Sequence, residues 1–228
     1  MTETQAILLK RQELRETSLI VIAMTRDIGK VHGIVKGVRG GRAAVPCYLE
    51  PMTHQAVILY ERKRSGLALM SSFDLIDAFD PIRRDFVRTA YAALCLDLVD
   101  AMTEIGDPHP EVFDLLLSVL QGMAAGADPK VAARFLELHL LQMGGVFPDS
   151  DQWKLSPGAK LSLMQMLEWP WERVNRLRLS HLVQEELRVR FQAVLHNVLE
   201  KELKSRTFLY QLGWERPLAK EAWEKCNA

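Results

Sequence analysis

The sequence predicts an α+β protein in which a small β-barrel is followed by an α-helical domain. Three observations predict it. Over residues 1–80 the apolar runs are short, rich in Val and Ile, and separated by Gly, Pro, Asp and Ser, the pattern of strands joined by turns. From Asp80-Pro81 onward apolar residues instead recur about every four positions, as on one face of a helix. Cap-then-proline pairs, Asp128-Pro129 and Ser156-Pro157, mark helix starts in that second part. The expected division is 1–80 for the barrel and 81–228 for the helices.

Ala6 to Leu9 opens the first strand, ahead of the polar Lys10-Arg11-Gln12-Glu13. Ser18 to Met24 is the second. Arg26-Asp27-Ile28-Gly29 is a turn signal, and Lys30 to Lys36 is the third strand. A Gly- and Arg-rich gap follows, then His54 to Tyr60 and Leu67 to Phe73. Five short strands with turn-rich links favour closure over an open sheet with bare edges, which predicts an OB-like barrel. Tyr60 and Phe73 are expected to face its interior.

In the helical part, Phe86, Ala90, Leu94, Leu98 and Met102 form an apolar stripe, widened by Val87, Tyr91 and Val99. Gly106 to Pro110 ends that helix, and Glu111 to Met123 forms the next. Asp128 caps a third, carrying Phe135, Leu136, Leu138, Leu140 and Leu141 before Gly144-Gly145 stops it. Ser156 caps a fourth. Ser180 precedes a long fifth helix with Leu187, Phe191, Val194, Leu195, Val198 and Leu199 inward.

Of the 228 residues, 48% are hydrophobic and 25% charged, which excludes wholesale disorder. Lys and Arg number 29, as do Asp and Glu, so the chain is no generic polycation. Any nucleic-acid partner requires positive charge gathered in one region. Three cysteines, Cys47, Cys95 and Cys226, lie far apart with no CxxC, which fits reduced thiols. The N-terminus lacks a signal-peptide pattern, and apolar runs such as Leu19 to Met24 fall far short of the roughly 20 residues of a membrane span. A soluble cytoplasmic protein without a membrane association is expected.

Between Arg26 and Arg42 stand five basic residues, Arg26, Lys30, Lys36, Arg39 and Arg42, against Asp27, interleaved with Gly29, Gly33, Gly37, Gly40 and Gly41. Phosphates need cationic donors, and glycines let backbone N–H groups approach them. A basic loop beside a barrel groove can track a single strand without reading its sequence. A solvated hairpin loop is the bland alternative. Arg62-Lys63-Arg64 forms a second cluster at the turn between the last two strands. Lys201, Lys204 and Arg206 form a third, at the expected end of the long helix, where the helix dipole favours cations in any case. Aromatic residues for stacking are scarce in the barrel, with Tyr48, Tyr60, Phe73 and Phe79 alone, so phosphate contacts are expected to dominate. Trp169-Pro170-Trp171 reads as a plug at a helix junction. With Arg173, Arg176 and Arg178 nearby it also fits a receptor for an acidic, hydrophobic-ended peptide.

The six histidines never fall three to five residues apart, so no zinc site is expected. Glu185-Glu186 and Glu200 with Glu202 diverge around a helix and converge on no single atom. GxSxG, P-loop and GxGxxG motifs are all missing from the sequence. No catalytic site, cofactor or small-molecule substrate is expected.

The segments QAILLKRQELRETSLIVIAMTRDIGKVHGIVKGVRGGR, YLEPMTHQAVILYERK, RRDFVRTAYAALCLDLVD, PHPEVFDLLLSVLQGM, ARFLELHLLQMGGVFPD and LKSRTFLYQL follow one another along nearly the whole chain. In that order they resemble the RecO family of DNA repair and recombination mediators. The resemblance implies an N-terminal OB fold with a helical domain. It also implies binding of single- and double-stranded DNA, annealing of complementary strands, and help in loading recombinase onto strands coated by single-strand-binding protein. RecR, RecA and the single-strand-binding protein are the implied partners. Lys30, Lys36, Arg39 and Arg42 become the implied DNA contacts, with Lys204 and Arg206 secondary. A protein-interaction scaffold whose barrel touches no DNA is the competing class. One departure stands out: relatives with a four-cysteine zinc module carry it after the GG..P turn, whereas Val146 to Pro157 contains no cysteine. The chain is therefore expected to resemble the subset lacking that module.

Overall fold

The computed structural model describes residues 1–14, 18–38, 49–60, 67–148, 153–199 and 201–218. Its first part holds five strands: β1 (Thr2–Leu14), β2 (Ser18–Thr25), β3 (Gly29–Lys36), β4 (His54–Tyr60) and β5 (Ala68–Asp77). They close in the order β1-β2-β3-β5-β4, the connectivity of an OB barrel. Closure depends on the length of β1. Its start, Thr2 to Ile7, pairs with β4, while Ala6 to Leu14 pairs with β2. Among the described strands the β3–β5 pair is parallel, joining Gly33 to Ala68 and Ile34 to Leu69.

Strand period places alternate residues inside. Leu19, Val21 and Ala23 of β2, Val31 and Val35 of β3, Val57 and Leu59 of β4, and Met70 of β5 form one buried cluster with Ala6 and Leu8. Gly33 falls on the inward face between Val31 and Val35, where a Cβ would lie 2.2 Å from the Met70 sulfur. The missing side chain is thus what admits Met70 to the core. Phe73 packs partly buried against this cluster, as its strand position suggests. Tyr60 does not: at the end of β4 it is 40% exposed, its hydroxyl 3.4 Å from the Met1 sulfur. The strand period itself puts it outside: Val57 and Leu59 of β4 face the core, so Tyr60, one residue on, faces away.

Among the described residues eight helices follow: α1 (Asp80–Arg83), α2 (Phe86–Met102), α3 (Pro110–Ala124), α4 (Pro129–Met143), α5 (Pro157–Glu168), α6 (Trp171–Val174), α7 (His181–Val198) and α8 (Lys204–Gln211). Five were expected. The additions are the single turns α1 and α6, and α8, which the sequence merges with the end of α7. Leu199 and Leu203 are both extended, at ψ 128° and 134°, so the chain leaves one helix and starts another. The caps read from sequence are present. Asp128 accepts from the Lys130 N–H, Ser156 from Ala159 and Ser180 from Val183. Two apolar stripes are shorter than expected. Phe86 at the start of α2 is 59% exposed and Val198 at the end of α7 is 37% exposed.

By contacts the chain forms two compact units, Met1–Asp80 with Val99–Leu117, and Pro81–Leu98 with Ser118–Ala228. The end of α2 and the start of α3 therefore belong with the barrel. Gly106 donates its N–H to the Lys30 carbonyl at 2.9 Å, and Ile105 forms a parallel bridge with Lys30. Gly29, at φ 78°, lies so close to this segment that a Cβ would stand 1.9 Å from the Asp107 carbonyl oxygen. Gly29→Ala therefore combines a left-handed backbone with a collision against main chain. It is expected to lower the unfolding free energy in urea by about 2–4 kcal/mol, and an unchanged midpoint would contradict this packing.

Candidate nucleic-acid interface

The glycine-punctuated basic stretch was expected to present its cations together. The structure separates them by their partners. Arg26, in the β2–β3 turn, donates from Nε and Nη2 to both Asp114 oxygens at 3.1 and 3.2 Å. Lys30 is only 8% exposed; its Nζ donates to the Asp100 carbonyl at 2.5 Å and lies 3.3 Å from Asp100 Oδ1. The other carboxylate oxygen of Asp100 accepts from Lys10 at 2.8 Å. Burial alone would push the Asp100 carboxyl up, but the hydrogen bonds and charges of Lys10 and Lys30 hold it below the usual range. His32, beside them on β3, is pushed down by burial and then by the Lys30 charge. Arg11 pairs with Glu50 at 2.7 Å.

Lys36 is different. It ends β3 exposed, next to Gly37 at φ 73°, and no carboxylate pairs with it among the described residues. It thus offers a free ammonium where the Gly- and Arg-rich stretch begins. Arg39, Arg42, Arg62, Lys63 and Arg64 lie outside the described residues.

The third expected cluster also divides. Lys204 is exposed at the N-terminal end of α8, where the helix dipole disfavours a cation, so the dipole argument for it fails. Arg206 points the other way. It is 4% exposed and donates to Glu137 and, at 3.4 Å, to Glu215. Arg134 completes a buried square, donating to Glu215 at 2.7 Å and lying 2.9 Å from Glu137. Gln192 adds a bond to Glu215 at 2.9 Å. Burial would lower the Arg206 pKa, but the two carboxylates outweigh it and hold the guanidinium charged. Two cations against two anions leave the square neutral, which is how such charges survive inside a fold.

Trp171 is 7% exposed and stacks on Phe135, ring centroids 5.0 Å apart. Gly122 makes room for it, since a Cβ there would meet the indole at 2.6 Å. Trp171 is thus a core residue, whereas Trp169 is half-buried and Arg173, Arg176 and Arg178 are exposed. Phe86, which the sequence places in the α2 stripe, belongs to another surface feature. The Phe86 ring lies edge-on to Phe208 and Trp214, at 6.0 and 5.5 Å. No periodicity could have revealed it, because α8 was not separable from α7.

A closed OB barrel joined to helices defines a two-part architecture whose barrel type is suited to holding extended chains. The family model described as "Recombination protein O N terminal" matches residues 1–79, and "Recombination protein O C terminal" matches residues 83–153. This chain belongs to the RecO family. It is 29% identical over 149 residues to a protein of Bacillus subtilis named DNA repair protein RecO, covering 65% of this chain and 58% of that one. A namesake from Shouchella clausii is 29% identical over 151 residues, covering 66% and 58%. One from Listeria monocytogenes is 25% identical over 152 residues, covering 67% and 59%. The chain thus spans about three fifths of the length of the curated relatives it matches.

Removing one member of the buried square strands the others. Arg206→Met is expected to cost about 3–5 kcal/mol of unfolding free energy. An unchanged midpoint in urea denaturation would contradict the square.

Proposed function

We propose that this chain is a DNA repair and recombination mediator that binds single- and double-stranded DNA, anneals complementary strands and helps load recombinase, with no catalysis of its own. Residues 1–80 are the DNA-binding domain in this reading, and residues 81–228 recruit RecR, RecA or the single-strand-binding protein. The observation that carries it is the RecO family match across an OB barrel that ends β3 in a free lysine. Residues 1–79 carry eleven Lys and Arg against eight Asp and Glu, but residues 99–117, which pack with the barrel, add five Asp and Glu and no Lys or Arg. The barrel unit as a whole is therefore not cationic, and the positive charge on offer is local, at Lys36 and the basic stretches that follow it in sequence.

The contact set we favour is Lys36 with Arg39, Arg42, Arg62, Lys63 and Arg64. Arg26 and Lys30 serve the barrel instead, since DNA would have to displace Asp114 and Asp100 from them. The exposed Arg173, Arg176 and Arg178 beside Trp169 suit an acidic peptide tail. Those same paired cations favour a second reading, a scaffold whose barrel touches no DNA.

A titration of labelled oligonucleotide against salt separates the two. If about four cations engage a single strand, log K falls with log salt at a slope of about −3. Reversing Lys36, Arg39 and Arg42 together to Glu is expected to remove most binding without altering the unfolding midpoint. No binding by the unaltered protein at low salt would leave the scaffold.

A further inference from the structure

The barrel's described surface offers one exposed ring, Tyr60, while on the helical unit Phe86 makes edge contacts with both Phe208 and Trp214. Phe86 is 59% exposed and Phe208 40% exposed. Trp214, half-buried, closes the group against Phe86. Such exposure is costly for aromatic carbon, and an edge-to-face trio leaves ring faces open. These rings come from two segments far apart in sequence, residues 81–88 and 201–216, so folding has assembled them.

What would cover the rings is indicated by charge. Those two segments hold seven Lys and Arg against three Asp and Glu. Arg206 and Glu215 meet in the buried square, and Arg88 lies 3.7 Å from Asp85, which leaves five Lys and Arg against Glu202. Glu202 accepts from the Tyr210 hydroxyl at 3.0 Å. Arg84, two residues before Phe86, is exposed, as is Lys204, one helical turn before Phe208 on α8. Neither pairs with a carboxylate among the described residues. Open ring faces flanked by free cations match one ligand chemistry: unpaired bases that stack, on a backbone of phosphates.

We propose that Phe86, Phe208 and Trp214, with Lys204 and Arg84, form a base-stacking site for single-stranded nucleic acid on the helical unit. It rests on the DNA-binding reading and adds what the barrel lacks, a reason to prefer single strands. Duplex bases are already stacked on each other and gain nothing there.

The test compares a labelled oligothymidylate with an abasic strand of equal length and charge, by anisotropy, on the full chain. The unaltered protein is expected to prefer the thymidylate by about tenfold or more, the scale of one base–aromatic stack. Phe86→Leu with Phe208→Leu keeps apolar volume and is expected to erase that preference. Affinity for the abasic strand and the salt slope stay as they were. Equal affinity of the unaltered protein for both strands overturns the site while leaving DNA binding intact, and needs no variant to fold. A preference that survives the double substitution overturns it as well. Self-association that the double substitution abolishes would assign the face to a second copy of the chain, against the proposal. Binding to neither strand at low salt would overturn both this site and the reading beneath it.

Discussion

The ion pairs of Asp100 govern how the barrel can be used. One carboxylate, held below its ordinary pKa, accepts from Lys10 on β1 and lies against Lys30 on β3. The same stretch of chain sends Asp114 to Arg26 and seats Gly106 on the Lys30 carbonyl. Residues 99–117 are thereby fastened to the barrel, and three of its cations are used in doing so. Breaking the largely buried Lys30–Asp100 pair strands a charge, so that pair resists competition from phosphate, whereas the exposed Arg26–Asp114 pair holds more weakly. Positive charge that remains available is confined to what these carboxylates do not reach.

This division explains why a chain of zero net charge can still be argued to handle a polyanion. Charge that holds the fold and charge that meets a ligand are different populations, and sequence counts add them together. Lys30 and Lys36 are six residues apart on one strand, yet one is buried against a carboxylate and the other exposed. The helical unit repeats the lesson with Arg206 and Lys204. Two positions apart on α8, one closes a buried square and the other faces water.

Much of the fold was legible in the sequence for local reasons. All five strands, the β2–β3 turn and the three side-chain caps follow from period, Gly placement and Asp or Ser ahead of helices. The sequence misled where the outcome depended on distant partners. Nothing near Arg206 announces Glu137, 69 residues earlier. Nothing near Lys30 announces Asp100, 70 residues later. The Phe86 ring was assigned inward because it fits the α2 stripe, and the terminal turn of a helix is where a stripe loses its cover. Trp171 went the other way: its core role was readable, while the glycine that admits it, Gly122, was not.

The reactivity of individual lysines toward an amine-acylating reagent, read by mass spectrometry with and without a bound single strand, tests the central claim most directly. Lys36 is expected to react fast in the free protein and to be shielded by the strand. Lys30, clamped by Asp100, is expected to react slowly in both states. Shielding of Lys30 with Lys36 unchanged would show that DNA displaces the carboxylate, and would contradict the separation of structural from ligand-binding charge.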